Sequence, residues 1–570
     1  MLDELNAQQR EVVETQGHCE AIACPGAGKT KTIATKAALL LGQRDRYVGA
    51  VTFSKDAALE LRARILTLSG DSGKRRLVAS TFHSLAFKQI RADRSQQSDV
   101  ASEGDRQGLL AGVLQDLDID WTVEDATALI EKIKTNFGKV DRGTPEASLY
   151  AAYQDALMRN GKLDFQDMLR LAVEGMETGR VKPYPFTDLL VDEFQDTDPL
   201  QYRWVQLHAE AGATVTIVGD DDQSIYGFRS ALGYRGMQSF AAEFNAQQIV
   251  LGSNYRCRSE ILTAADTVIR KNVERIPKVL HAAKGAGGHI SASRFQDEYA
   301  EAVAAVEELA PHLARGASAA ILARTNRILD PIEAVCRSHG VPYFRASGYS
   351  ILNRPEGAVM CNLLAVIQGA KTNGLDNVLA FCGVSTRDLR LLHSKMGASL
   401  EQQTKANLID LGLAEATATG YRDFMKRMGE WKALCARQFY SLILDGVVEW
   451  LSKFANKDAA ERAIRGTYDV LSRLSGSFTE RIEFLRQDNN EPVDGALVLT
   501  TMHGSKGLEW DHVWIARAEE AVVPDEKSPE SEERRLFYVA MTRARESLMV
   551  TMTKRNPISR FALEAGLSIK

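Results

Sequence analysis

Residues 19–32 read Cys-Glu-Ala-Ile-Ala-Cys-Pro-Gly-Ala-Gly-Lys-Thr-Lys-Thr, and no other stretch restricts the fold as much. An apolar run ending at Ala23 enters a turn of small residues, Gly26, Ala27 and Gly28. A helical pattern then continues from Lys29, Thr30 and Lys31 to Leu41. Strand, glycine turn and helix in that order let consecutive backbone N–H groups close around phosphate at a helix N-terminus. Lys29 then reaches the β- and γ-oxygens, and the Thr30 hydroxyl can ligate Mg²⁺. Ala23 stands where the general pattern has glycine, and alanine is still small enough for the close turn. The stretch predicts a nucleoside triphosphate site on an α/β sheet, with ATP and Mg²⁺ as cofactors.

The rest of the chain carries the strands such a sheet needs. Short β-branched runs at 47–53, 77–81, 188–192, 214–218, 318–323, 497–501, 512–516 and 548–552 alternate with longer helical patterns. They fall into two sets, before and after about residue 252, and residues 85–162 and 357–490 are strand-poor. The pattern predicts an α/β chain of two parallel-sheet cores, each interrupted by a helical insertion. The first core comprises 1–84 and 163–252 around the insertion 85–162. The second comprises 253–356 and 491–570 around the insertion 357–490.

Composition excludes several classes. Lys plus Arg number 70 against 75 Asp plus Glu, a net charge of −5, so the surface as a whole is no polyanion-binding one. Local patches exist: residues 53–76 hold six basic against three acidic residues, and 251–284 hold seven against three. The seven scattered cysteines never form Cys-x-x-Cys, which argues against a disulfide framework, a zinc ribbon or an iron–sulfur cluster. With no basic-then-apolar leader and no run of about 18 apolar residues, the expectation is a cytoplasmic protein without a membrane partner.

A second chemical element follows the buried-strand run Leu189-Leu190-Val191, which ends in Asp192-Glu193-Phe194-Gln195-Asp196. Acidic side chains at the carboxyl end of a parallel strand lie where such sheets bind ligands. Asp192 can hold Mg²⁺ through water, while Glu193 orients or deprotonates the attacking water, the division of labour that phosphoryl transfer requires.

With these two elements, the remaining signatures resemble a superfamily 1 DNA helicase of the UvrD/Rep type across both halves of the chain. They are Leu5-Asn6-Ala7-Gln8-Gln9-Arg10, Val51-Thr52-Phe53-Ser54-Lys55, Thr81-Phe82-His83-Ser84, Leu163-Asp164-Phe165-Gln166-Asp167 and the run from Gly219 to Arg229. Past residue 252 come Asn254-Tyr255-Arg256, Arg324-Thr325-Asn326, the run from Thr501 to Trp510 and the run from Glu533 to Ala544. The resemblance implies two RecA-like motor domains. It implies that Gln9 reads the adenine edge, Tyr255 stacks on the base and Glu509 contacts the ribose. Gln223, Arg256 and Arg543 would reach the γ-phosphate. Guanidinium groups suit the charge spread over a transferring phosphoryl group.

For DNA the resemblance points to Phe53, His83, Tyr226, Phe228 and Trp510, with Lys55 and Arg229 beside them. Aromatic faces take up unstacked bases without regard to sequence. The implied activity is ATP-driven translocation on single-stranded DNA with 3′-to-5′ unwinding at single-strand/duplex junctions. A second reading is a DNA-sensing ATPase subunit of a nuclease-containing repair or anti-phage defence complex, with a nuclease or repair protein as partner. A P-loop kinase or GTPase switch explains nothing after residue 252.

Overall fold

The computed structural model describes residues 1–70, 73–92, 98–347, 355–370, 374–395, 404–455, 458–486 and 494–569. The expected boundary at 490/491 lies outside the described residues. The chain forms two compact units: Met1–His289 with Pro524–Glu546 and Glu564–Gly566, and Ile290–Val523 with Ser547–Leu563 and Leu567–Lys570.

The first unit is built on a six-stranded sheet of β1 (Cys19–Ala23), β2 (Val48–Thr52), β3 (Leu77–Thr81), β4 (Asp188–Val191), β5 (Thr214–Gly219) and β6 (Gln247–Leu251). The order is β3-β2-β4-β5-β1-β6, and every pairing is parallel. The strands β1, β2 and β4 are buried throughout because helices cover both faces, which is why they read as largely apolar runs rather than alternating ones. Successive residues serve opposite faces. Leu189 and Val191 pack with Leu85, Leu169, Trp204 and Phe240, whereas Leu190 packs with Val12, Ile33, Leu61 and Ile65. The order places the carboxyl ends of β4, β5 and β1 side by side. The site grows from those three ends.

The helical insertion of this unit consists of Glu103–Asp116, Val123–Thr135 and Pro145–Arg159, N-capped by Ser102, Thr122 and Thr144. Leu110, Val113, Ile130, Leu149 and Tyr153 form its own core. The helix Phe82–Ala92, counted with the insertion from residue 85 in the sequence reading, instead packs Leu85, Ala86 and Ile90 into the layer over the sheet.

The second unit holds a six-stranded sheet of β7 (His289–Phe295), β8 (Ala319–Ala323), β9 (Tyr343–Arg345), β10 (Leu497–Thr501), β11 (Trp510–Ile515) and β12 (Ala544–Thr553). Its order is β7-β12-β11-β8-β10-β9, with β8 parallel to both β10 and β11 and β9 parallel to β10. The helices Glu298–Ala314 and Leu329–Ser338 cover this sheet. Helices between Pro355 and Arg486 enclose a separate core of residues such as Met360, Leu364, Phe424, Trp431 and Trp450. The architecture is α/β, two RecA-like sheets each with a helical insertion.

The compact units cut the chain differently from the expected core boundaries. Segments 253–289 and 524–546, read as parts of the second core, pack with the first unit. The reason is the bonding described below, which sews Asn254–Arg256 and Arg543 to the phosphate loop and its neighbours. Among the described residues no cysteine is joined in a disulfide. Among the described residues no helix is long and apolar enough to cross a membrane.

Candidate nucleotide site and nucleic-acid interface

The phosphate loop leaves β1 and turns into the helix Lys29–Leu41 through Gly26 and Gly28, whose φ angles are +63° and +77°. Both positions favour glycine. The backbone is left-handed there, and an added Cβ would come within 2.6 Å of Arg256 Cβ at Gly26 and 2.8 Å of Gln9 Nε2 at Gly28. Ala23 is the buried last residue of β1, and Ala27 N–H donates back to the Cys24 carbonyl. Lys31 points away from the loop, donating to the Glu4 carbonyl at 2.9 Å.

Segment 254–256 is bonded to this loop. Asn254 Nδ2 donates to the Pro25 carbonyl at 2.6 Å, and Tyr255 N–H donates to the Gly26 carbonyl at 3.0 Å. Asn254 Oδ1 accepts from Arg256 N–H, and Arg256 Nη1 donates to the Thr542 carbonyl. Gln9 lies beneath the loop, buried. Its Nε2 donates to the Ala27 carbonyl at 2.9 Å, and its Oε1 accepts from Asn6 N–H as half of a capping box. The Tyr255 hydroxyl accepts from Asn6 Nδ2 at 2.9 Å, and about half of the ring is exposed.

The strand β4 delivers Asp192 and Glu193. Glu193 sits at φ +53°, a left-handed conformation rarely adopted by a side-chain-bearing residue, and its Oε2 meets Lys29 Nζ at 2.7 Å. Burial, then the adjacent Glu193 charge, pushes the Asp192 carboxyl up to about 7, with Lys29 and a hydrogen bond to Thr30 opposing. Burial alone would lower the Lys29 ammonium, but Glu193, Asp192 and Asp220 outweigh it and hold Lys29 above its ordinary value.

A relay links this pair to the end of β5. Gln195 Nε2 donates to Glu193 Oε2 at 2.6 Å, and Gln195 Oε1 accepts from Asp220 N–H at 3.0 Å. Gln223 Nε2 donates to Asp220 Oδ2 at 2.6 Å, and Gln223 Oε1 accepts from Arg543 Nη2 at 2.9 Å. Lys29, Thr30, Asp192, Glu193, Gln223, Arg256 and Arg543 therefore belong to one unit. Glu509 belongs to the second unit, half-buried on the turn before β11.

Four aromatic side chains and an arginine crown the carboxyl ends of β2, β3 and β5. Phe53 stacks on Tyr226 with ring centroids 5.7 Å apart and planes 5° apart, and Phe228 meets Tyr226 edge-on at 6.0 Å. The Arg229 guanidinium lies 5.7 Å from the Tyr226 ring and 5.5 Å from that of Phe228. Phe53 is 43% exposed and Phe228 66%, an arrangement that apolar rings adopt at a binding surface rather than in a core. Lys55 is exposed on the first turn of the next helix, after the Ser54 cap. His83 stacks on Phe165 at 3.9 Å, and burial lowers its pKa to about 4, so it offers a neutral ring face and not a cation.

Trp510 corrects the expectation of another open stacking face. It begins β11 in the second unit and is only 6% exposed. Sequence reasoning also missed participants. Phe165, half exposed beside His83, reads as the first apolar residue of an amphipathic helix. Gln195, Asp220 and Asn254 stood within the quoted motifs without a role, because the bonds that give them one, Asp220 N–H to Gln195 and Asn254 to Pro25, join segments distant in sequence.

A phosphate loop, an acidic strand end and convergent arginines around it define a P-loop nucleoside triphosphatase. The chain belongs to the UvrD/Rep helicase family: the UvrD/REP helicase N-terminal domain matches residues 5–245, and the UvrD-like helicase C-terminal domain matches 249–381 and 473–555. It is 28% identical to the ATP-dependent DNA helicase PcrA of Leuconostoc citreum, over 98% of this chain and 84% of that protein. The PcrA proteins of Staphylococcus aureus strain Mu50 and Staphylococcus epidermidis are also 28% identical, over 97% of this chain and 83% of each relative.

Proposed function

We propose that this ATP-driven DNA helicase translocates along single-stranded DNA from 3′ to 5′ and separates strands at the junction with duplex. The observation that carries the reading is the common footing of its two surfaces. The segment from Asp220 to Arg229 supplies Gln223 to the nucleotide site and Tyr226, Phe228 and Arg229 to the aromatic platform.

In this reading the loop N–H groups and Lys29 cradle the β- and γ-phosphates, and Tyr255 presents its exposed face to the base. The amide of Gln9 is already committed to Asn6 and Ala27, so Gln9 fixes the loop as well as facing the adenine. Thr30 and Asp192 fit Mg²⁺: a carboxylate raised first by burial and then by the neighbouring Glu193 charge, next to a hydroxyl, is an oxygen donor set that suits a hard divalent cation. The ion, when bound, neutralises charge on the phosphate oxygens. Glu193 then accepts the proton of the attacking water, with Gln195 holding its Oε2. Arg256 and Arg543 stabilise the charge that grows on the γ-phosphoryl group, and Gln223 senses that group. Residues 253–356 and 491–570 constitute the second motor domain in the functional sense, with Glu509 directed to the ribose. The relatives named above are ATP-dependent DNA helicases, which favours the motor over the sensor-subunit reading.

Stacking ignores base identity, and neutralising the backbone releases counterions. Phosphate release should therefore be stimulated by single-stranded DNA of any sequence, and binding should weaken steeply with salt. A flat salt response, or ATPase indifferent to single strands, would overturn the reading.

A further inference from the structure

The turn after β5 places three consecutive carboxylates, Asp220, Asp221 and Asp222, within 4.8 Å of one another and wholly buried, a grouping able to hold a metal ion. A side chain of this chain already fills that position. Lys278 Nζ contacts Asp220 Oδ1 at 2.5 Å, Asp221 Oδ1 at 2.7 Å and Asp222 Oδ2 at 3.1 Å, and every member of the group is fully buried. Arg275 forks onto Asp222 through Nε at 3.0 Å and Nη2 at 2.7 Å, and Ile276 N–H donates to Asp221 Oδ2 at 2.7 Å. Burial by itself would lower the Lys278 pKa. The three carboxylates outweigh it and hold the ammonium well above its ordinary range.

Asp220 is the member that matters for chemistry. Its Oδ1 receives Lys278, its Oδ2 receives the Gln223 amide, and its backbone N–H reaches Gln195, which holds Glu193. Asp220 and Arg543 together set which way the Gln223 amide faces, its donor end meeting Asp220 and its acceptor end receiving Arg543. Three carboxylates without a central cation would repel one another and open the turn. The same turn runs on into Tyr226 and Phe228, so its rigidity bears on both surfaces.

We propose that Lys278 is a positioning residue for ATP hydrolysis: as the internal counter-ion of Asp220–Asp222, it holds Asp220 and through it orients Gln223 and Arg543 toward the γ-phosphate. This rests on the function proposed above. Lys278 touches no substrate, so its removal should lower kcat while leaving KM for ATP almost unchanged.

The test is a cycle of Lys278→Met, Gln223→Ala and the double variant in the full chain, read as DNA-stimulated phosphate release. Lys278→Met is expected to lower kcat by about tenfold or more with KM for ATP within about twofold, and the double variant should be no slower than Gln223→Ala alone. Lys278→Arg keeps the charge and hence the fold, but a planar guanidinium cannot put one nitrogen among three carboxylates. It carries the same cycle where Lys278→Met does not fold, with an expected loss of about threefold or more that again vanishes in the Gln223→Ala background. Losses that multiply in the double variant, or a wild-type kcat in the folded Lys278 variants, would overturn the proposal. If Gln223→Ala itself left hydrolysis unchanged, the assignment of the nucleotide site would fail first, so the two failures are distinguishable.

Discussion

Lys29 and Glu193 share one ion pair of 2.7 Å, yet their replacements should fail in different ways. In the proposed mechanism Lys29 faces phosphate in the ground state, whereas Glu193 acts on water only as the reaction proceeds. Lys29→Ala should abolish hydrolysis and weaken nucleotide binding strongly, while Glu193→Gln should abolish hydrolysis and leave binding nearly intact. Titration with a fluorescent ATP analogue beside phosphate release separates the two, and substantial turnover in Glu193→Gln would refute its role as base. A second residue-scale prediction concerns Glu20, wholly buried on β1, whose Oε2 accepts from Gln248 and whose Oε1 has no partner. Burial, the largest influence, pushes its carboxyl from 4.5 up to about 7. A raised acid contributes stability that is complete below about pH 4.5 and lost as pH rises through about 7. Glu20→Gln should therefore stabilise the protein at pH 8 by up to the order of 3 kcal/mol and far less at pH 5, as read by urea unfolding at the two pH values. An equal gain at both would contradict it.

At the scale of elements, the joint between the first insertion and the sheet is a buried ion triad. Lys134, from the helix Val123–Thr135, meets Asp164 Oδ2 at 2.6 Å and Asp167 Oδ2 at 2.8 Å, the two residues of the capping box that starts the helix Phe165–Glu177. Removing Lys134 takes the ammonium from between two buried carboxylates, of which Asp167 keeps Arg170 at 3.1 Å, so Lys134→Met should destabilise the fold by about 3 kcal/mol. Denaturant melts check the loss, and a change below about 1 kcal/mol would show that water relieves the pair. The Lys134 triad was not legible in the sequence, because its partners lie about 30 residues away and no local pattern pairs them. Most of the strands were legible. The runs 188–192, 214–218 and 318–323 become β4, β5 and β8, interior strands whose burial on both faces writes a continuous apolar signal. The strands that left little trace are β6, β7 and β9, each at an edge of its sheet. Gln247-Gln248-Ile249-Val250-Leu251 buries only Ile249 and Leu251, so its signal is diluted. The same contrast holds in the site. Gly26, Gly28, Lys29 and Glu193 follow from local chemistry, whereas the relay through Gln195, Asp220 and Lys278 exists only once β1, β4 and β5 stand side by side.

In the whole molecule the proposed mechanism has one continuous turn serving nucleotide and DNA together, Gln223 on one side and Tyr226–Arg229 on the other. Opening a base-pair step costs about 1.4 kcal/mol on average, far less than ATP hydrolysis releases, so grip rather than energy should limit unwinding. Phe228 stands 66% exposed over Arg229 and outside the nucleotide-site hydrogen bonds described above, so Phe228→Ala should let the motor slip while hydrolysis continues. The most direct measurement compares strand displacement from duplexes carrying a 3′ or a 5′ single-stranded tail with phosphate release in the same reaction, for the wild type and Phe228→Ala. Displacement of the 3′-tailed duplex only is expected, with a variant that loses displacement far more than hydrolysis. Hydrolysis on single strands with displacement of neither duplex by the wild type, or displacement and hydrolysis falling in equal proportion in the variant, would contradict it.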